Sequence, residues 1–424
     1  MSSSKSAAYR PVSTRSRPKR KLKKRVKKKR LTNNIETCLQ TITLTELIQA
    51  LGCHFNLALR ELNIINIIYA YLGNPFITTW RVNGLPSQLR SSSKKFKKKH
   101  VIMLPLEPEG KYNFIVEWGD GTSDHITVHD QPEVIHTYRN PGRYTLYLNG
   151  LVDGFAIGKA SHPACLQLVD ISQWGCVGLG KNGYQFNSCH MLSSITAVDA
   201  PNLTGINNLE RMFFNATLFD GNLSSWDVSG VTNLAGMFQN ASSFTGDISN
   251  WQVSNVRDMS KCFARASSFN GNINGWNTRS VIDMSDMFCD ASSFDRNLNW
   301  NVNKVITMNG MFCRALSFNG DVSHWDVQNV RQMNDMFRDA SAFNGDVSQW
   351  NVSNVITMDG MFCDASAFQG TKISCWNVKS CLSMRDIFKD ALTFNEDVSD
   401  WNTECEHAMI NNTNNIQDMF RSIT

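Results

Sequence analysis

Apolar residues in the C-terminal part of the chain recur in a fixed order. A tryptophan returns at Trp226, Trp251, Trp276, Trp300, Trp325, Trp350, Trp376 and Trp401, in steps of 25, 25, 24, 25, 25, 26 and 25. A fixed period of about 20–50 residues marks an architecture of stacked units. With Trp251 as position zero, Val253 is at +2, Val256 at +5, Met259 at +8, Phe263 at +12, Ala266 at +15, Phe269 at +18 and Ile273 at +22. Trp325 opens the same frame with Val327, Val330, Met333, Phe337, Ala340, Phe343 and Val347. The Trp and the residue at +2 alternate as in a short strand. Positions +8, +12 and +15 have helical spacing. Position +7 holds Asn233, Asp258, Asp283, Thr307, Gln332, Thr357 and Ser383, mostly helix-capping types, so a short helix is predicted to start there. Gly246, Gly271, Gly320, Gly345 and Gly370 follow the second Phe and offer a permissive backbone; Arg296 and Glu396 replace that glycine in two units. The predicted fold class is an α/β solenoid of about eight strand–turn–helix units, stabilised by nearest neighbours. The aromatics read as internal ladders of core residues rather than a ligand box.

Earlier segments carry other patterns. Leu51, Phe55, Leu59, Leu62, Ile65, Tyr69 and Leu72 lie on one helical face, closed by Gly73 and Pro75. Residues 41–85 are therefore read as a small helical segment, either docked on the body or recruiting a partner. Residues 86–100 form a basic linker containing Lys94, Lys95, Lys97, Lys98 and Lys99. Residues 101–160 turn to β: Phe114, Val116 and Trp118 alternate with Ile115 and Glu117 before a Gly119–Thr122 turn. Residues 161–424 hold the repeats, and the spacing irregularity after Phe388 marks a capping unit with a loop near Thr403–Thr413.

Two resemblances follow from quoted residues. Trp118-Gly119-Asp120-Gly121-Thr122, then His136-Thr137-Tyr138 and Pro141-Gly142, resemble the PKD domain, which implies a reduced immunoglobulin-like β module with Asp120 and His136 in structural roles. Trp226-Asp227-Val228-Ser229-Gly230-Val231-Thr232 resembles the repeat of the BspA-type leucine-rich-repeat family, DUF285. So does Trp350-Asn351-Val352-Ser353-Asn354-Val355-Ile356-Thr357-Met358 with Met361-Phe362. That resemblance implies a protein-binding repeat array. Such repeats occur in bacterial surface and adhesion proteins, in protists and in large DNA viruses, so an exported adhesion protein is one implied alternative.

Charge changes the picture at the other end. Residues 1–30 carry 14 Lys or Arg and no acid, whereas residues 101–424 have a net charge of −14. Arg17, Lys19, Arg20, Lys21, Lys23, Lys24, Arg25, Lys27, Lys28, Lys29 and Arg30 make a self-repelling block in a tail, residues 1–40, expected to be disordered. It reads as a contact for nucleic acid or an import receptor, or as a solvated tail. Without interleaved aromatics, any nucleic-acid contact is to phosphates, non-specific and salt-dependent. These features raise a second reading, a nuclear or nucleic-acid-associated protein anchored by the arm.

The chemistry-bearing motifs are few. The 12 cysteines include no CxxC pair; Cys289, Cys313 and Cys363 share one slot of the repeat, where Cys289 and Cys313 on neighbouring coils are close enough for a disulfide, but without a secretory signal they are read as free thiols. Asp120, Asp124, His125, His129 and His136 crowd the β module without a fixed ligand count, so no metal site and no cofactor is assigned. No phosphate loop, dinucleotide fingerprint or nucleophile elbow is present, so no catalytic residue is assigned and a non-enzymatic scaffold for an unidentified protein partner is expected. The longest apolar run, Ile64–Leu72, is too short to span a bilayer, and no secretory signal is visible, which favours an intracellular setting, nuclear or viral.

Overall fold

A computed structural model describes residues 74–82, 100–158, 162–399 and 401. The basic block 17–30, the helical stripe 51–72, most of the linker and the loop 403–413 lie outside these residues.

Nine strands come first: β1 (Phe76–Val82), β2 (Val101–Met103), β3 (Leu106–Glu117), β4 (Ser123–Ile126), β5 (Ile135–Thr137), β6 (Gly142–Phe155), β7 (Leu168–Gln173), β8 (Gly178–Leu179) and β9 (Ser194–Ile195). Seven make one sheet, ordered β4-β3-β6-β1-β7-β9 with β8 on β6, and β2 pairs with β5 separately. Alternation buries Tyr112, Phe114 and Val116 of β3 on one face, and Ile115 is left on the other. β1 belongs to the segment read above as helical, residues 41–85. Its FITTWRV sequence instead enters the middle of the sheet, with Phe76 opposite Leu148 and Val82 opposite Gly142. β-branched and aromatic residues suit that buried position.

The chain then changes from antiparallel to parallel pairing. β6 pairs with β8 and β7 with β9 in parallel, and a parallel bridge joins Gly178 to Asn202. From Asn208 onward the pairing shrinks to single residues: Asn208, Asn233, Asp258, Asp283, Thr307, Gln332, Thr357 and Ser383 bridge in succession, all parallel. Sheet and repeats share one hydrophobic core running from Phe76 to Val398.

The predicted α/β solenoid of strand–turn–helix units is not what the repeats form. The described residues contain no α-helix, only three short 3-10 turns (Pro132–Val134, Pro163–Leu166 and Ile373–Cys375), and no strand after β9. The strand-plus-helix unit implied by the leucine-rich-repeat resemblance is absent with it. The reason is a pair of left-handed residues in every coil. Positions +10 and +14 have positive φ throughout: Lys261 (57°) with Arg265 (60°), Asp286 (53°) with Asp290 (59°), Asp335 (53°) with Asp339 (55°). Gly236, Gly310 and Gly360 take the same conformation at +10. Two left-handed residues four apart stop a right-handed helix.

They also redirect the N–H groups. In the coil of Trp251, Met259, Lys261, Phe263 and Arg265 donate to the carbonyls of Asp283, Ser285, Met287 and Cys289 in the next coil, at 2.7–3.0 Å. The intervening Cys262, Ala264 and Ala266 donate back within their own coil, to Met259, Lys261 and Phe263. Every second N–H thus joins two coils. The same ladder already runs from Tyr184, Phe186 and Ser188 to Glu210, Met212 and Phe214, before the first Trp of the series.

The glycines after the second Phe serve a different purpose from the one expected. Gly370 alone of the five has positive φ, at 74°. At Gly246, Gly271 and Gly345 an added Cβ would stand 2.7–2.8 Å from a ring atom of the preceding Phe244, Phe269 or Phe343. Glycine is there to leave room for the ring.

Candidate interaction face

The aromatic positions lie inside the stack. The rings at +12 repeat at 5.5–5.9 Å from Phe238 to Phe388. Within a coil, Phe312 lies 3.9 Å from Phe318, nearly parallel to it. Trp226, Trp251, Trp276, Trp300, Trp325, Trp350 and Trp376 are 2–5% exposed, and Trp401 packs on the same core from a half-buried position. Each indole from Trp251 onward donates through Nε1 to a carbonyl of the preceding coil: Leu223, Ile248, Ile273, Leu298, Val322, Val347 and Ile373, at 2.8–3.2 Å.

The polar positions common to the coils are also engaged. Asn233, Asp258 and Asp283 accept the N–H two residues on, at 2.8–2.9 Å, capping a turn rather than a helix. Asn270, Asp295, Asn319 and Asn344 each accept a backbone N–H from the following coil, at 2.9–3.1 Å. Ser267, Ser292, Ser341 and Ser366 hydroxyls donate to carbonyls of the coil before. Such residues hold the stack.

One column departs from this economy. Thr232, Arg257, Ile282, Ile306, Arg331, Ile356 and Leu382 occupy position +6. Their backbones form a single-file ladder: each N–H from Arg257 on donates to the carbonyl of the preceding member, at 2.7–2.9 Å. Their side chains point to solvent, Ile282 at 43%, Ile306 at 42%, Ile356 at 37% and Leu382 at 52% exposure, with Arg257 and Arg331 also exposed. Ile282 with Ile306 and Ile356 with Leu382 make two apolar pairs on successive rungs, separated by Arg331. Sequence reading missed it. Its signal was the replacement of a small polar residue, Thr232, by large ones in all six later coils.

A second row carries charge and thiols. Asp290 receives Arg314 at 2.7 Å and Arg265 at 3.3 Å, and Arg338 meets Asp335 at 3.1 Å. Burial raises the Asp286 carboxyl, partly offset by Lys261 at 3.8 Å. Exposed pairs of this kind contribute about 0–1 kcal/mol each. Cys289 and Cys313 lie half-buried within this row, and Cys363 is buried.

The residues weighed for metal are separately tied. Asp120 binds His136 Nε2 at 2.8 Å and Thr122; Asp124 accepts the Trp118 indole at 2.8 Å; His125 meets Asn113 at 2.8 Å. His129 faces Asp130 at 3.9 Å. His136 stacks on Trp118 at 4.6 Å, and Tyr138 donates its hydroxyl to the Trp118 carbonyl. Among the described residues, no three metal-binding groups converge.

A family model described as "Mycoplasma protein of unknown function, DUF285" matches residues 183–299, 298–372 and 347–424, more than half of the chain. The chain belongs to the DUF285 family. The DUF285 match opens one residue before Tyr184, the first member of a left-handed pair with Ser188 (φ 61° and 56°). No curated protein and no solved structure matches the chain. Among the described residues of this DUF285 protein, no helix is long and apolar enough to cross a membrane.

Proposed function

We propose that the chain is a non-enzymatic scaffold that binds a protein partner along the column Arg257, Ile282, Ile306, Arg331, Ile356 and Leu382. The exposed aliphatic side chains carry this reading, because the neighbouring polar positions that recur from coil to coil are occupied in holding the coils together. A ladder-fixed backbone presents the strip without ordering cost, which favours binding. The test is affinity capture with the full chain against Ile282→Asp/Ile306→Asp. A protein retained by the native chain and lost with the double variant, at unchanged thermal unfolding, supports the scaffold. Identical sets of captured proteins overturn it.

The separation of charge supports a second reading, in which Arg17–Arg30 anchors the scaffold to nucleic acid or an import receptor. Fluorescence anisotropy with duplex DNA at low and high salt, with and without residues 17–30, tests it. Equal binding by both chains removes nucleic acid as what the arm anchors to.

A further inference from the structure

Cys289 and Cys313 follow Phe288 and Phe312 and fill the same place in consecutive coils. The two rings stack with centroids 5.5 Å apart, and the Asp290 N–H donates to the Cys313 carbonyl at 2.8 Å. Neighbouring backbones in that register place their α-carbons within the roughly 4.4–6.8 Å that a disulfide spans. Both thiols are half-buried rather than sealed in the core.

Their surroundings are unequal. Arg314 adjoins Cys313 in the chain and holds Asp290 at 2.7 Å, and Cys289 Sγ lies 3.7 Å from Asp290 Oδ2. The neighbouring Cys289 thiol, and after it the Arg314 cation, draw the Cys313 thiol below its ordinary pKa against the effect of burial. The same contact, with burial, keeps Cys289 protonated. Cys363 occupies the slot between Arg338 and Lys389, has no cysteine in the same slot of either adjoining coil, and is pushed by burial up to about 12.

We propose that Cys289 and Cys313 form a thiol–disulfide exchange site, with Cys313 as attacking thiolate, Cys289 as resolving thiol and a low-molecular-weight disulfide as co-substrate. Cys313 Sγ attacks one sulfur of the small disulfide; its S–S bond breaks, and one thiolate leaves and is protonated by solvent. Cys289 then gives its proton to solvent and attacks Cys313 Sγ, expelling the second small thiolate. Two protein thiols are oxidised by two electrons, and one disulfide is reduced to two thiols. The product ties two adjacent coils beside the Asp290 clasp. The inference is independent of the partner-binding reading.

The test treats the full chain with oxidised glutathione, quenches with N-ethylmaleimide and maps peptides by mass spectrometry. A Cys289–Cys313 peptide that disappears with dithiothreitol is expected. Cys289→Ser should trap glutathione on Cys313, and Cys313→Ser should leave Cys289 unmodified. Cys363 should stay alkylatable only after unfolding. The proposal is overturned if exposed Cys375 acquires glutathione while no 289–313 link forms. It is equally overturned if Cys289, rather than Cys313, carries the trapped adduct. Unchanged tryptophan fluorescence of both serine variants confirms that they are folded.

Discussion

Replacing Asp339 by glycine and by alanine distinguishes the left-handed coil from a helical one. Asp339 has φ 55°, and its N–H donates to the Cys363 carbonyl at 2.7 Å. Both variants keep that N–H and lose the same carboxylate, so their difference isolates the backbone. A left-handed backbone costs an L-residue with a Cβ about 1–2 kcal/mol, which glycine escapes. Glycine in turn loses about 0.5–1 kcal/mol more chain entropy on folding than alanine. The balance puts Asp339→Gly above Asp339→Ala by about 0.5–1 kcal/mol. In a helix the order would reverse, with alanine ahead by about 1 kcal/mol. Guanidinium unfolding of the full chain, followed by tryptophan fluorescence, reads the order from the two midpoints at equal slope. An alanine variant as stable as the glycine variant, or more so, would refute the left-handed argument.

Trp325→Phe keeps an aromatic ring but removes the 2.8 Å indole hydrogen bond to the Leu298 carbonyl, which retains the Trp300 N–H, and thermal unfolding should show a loss of about 0.5–1.5 kcal/mol. Gly345→Ala drives a Cβ to 2.8 Å from the Phe343 ring, which is held between Phe318 and Phe368 at 5.9 Å; a loss of about 1–3 kcal/mol is expected. Gly230→Ala, with nothing within 4 Å, should leave the unfolding midpoint unchanged or slightly raised. Burial pushes the His162 imidazole down to about 4, where its Nδ1 accepts the Ala164 N–H. The unfolded chain takes up that proton near pH 6.5. Stability should therefore be complete above that pH and fall as pH drops from about 6.5 to about 4, by about 3 kcal/mol in all. His162→Asn, which cannot be protonated there, should flatten that part of a stability-versus-pH curve.

The period of the stack was legible because each coil meets a copy of itself, so the same side-chain types recur at the same interval. Its local conformation was not. Asp258 and Asp283 do cap N–H groups, but the capped segment turns left-handed a few residues later. Spacing at +8, +12 and +15 is shared by a helix and by this coil, so periodicity alone could not separate them. The deciding signal lay at +10 and +14, rich in Gly, Asp and Asn, and was obscured by Lys261, Arg265 and Arg314. β1 was misread for another reason. Its partner Leu148 lies far along the chain from Phe76, and no local pattern announces a pairing of that range. The exposed column was visible only as a departure from Thr232, which has meaning once the other columns have been given structural work.

The indole hydrogen bonds run one way along the stack. Each Trp from Trp251 onward reaches back to the preceding coil, while N–H groups such as those of Met259 and Phe263 reach forward to the next. The upper face of any coil therefore fits the lower face of any other, and nothing in that fit counts. Such a joint is head-to-tail. Gain or loss of a whole 25-residue unit would change the number of rungs without creating a new kind of contact. Length is then a free variable for the stack, adjustable by duplication or deletion in register.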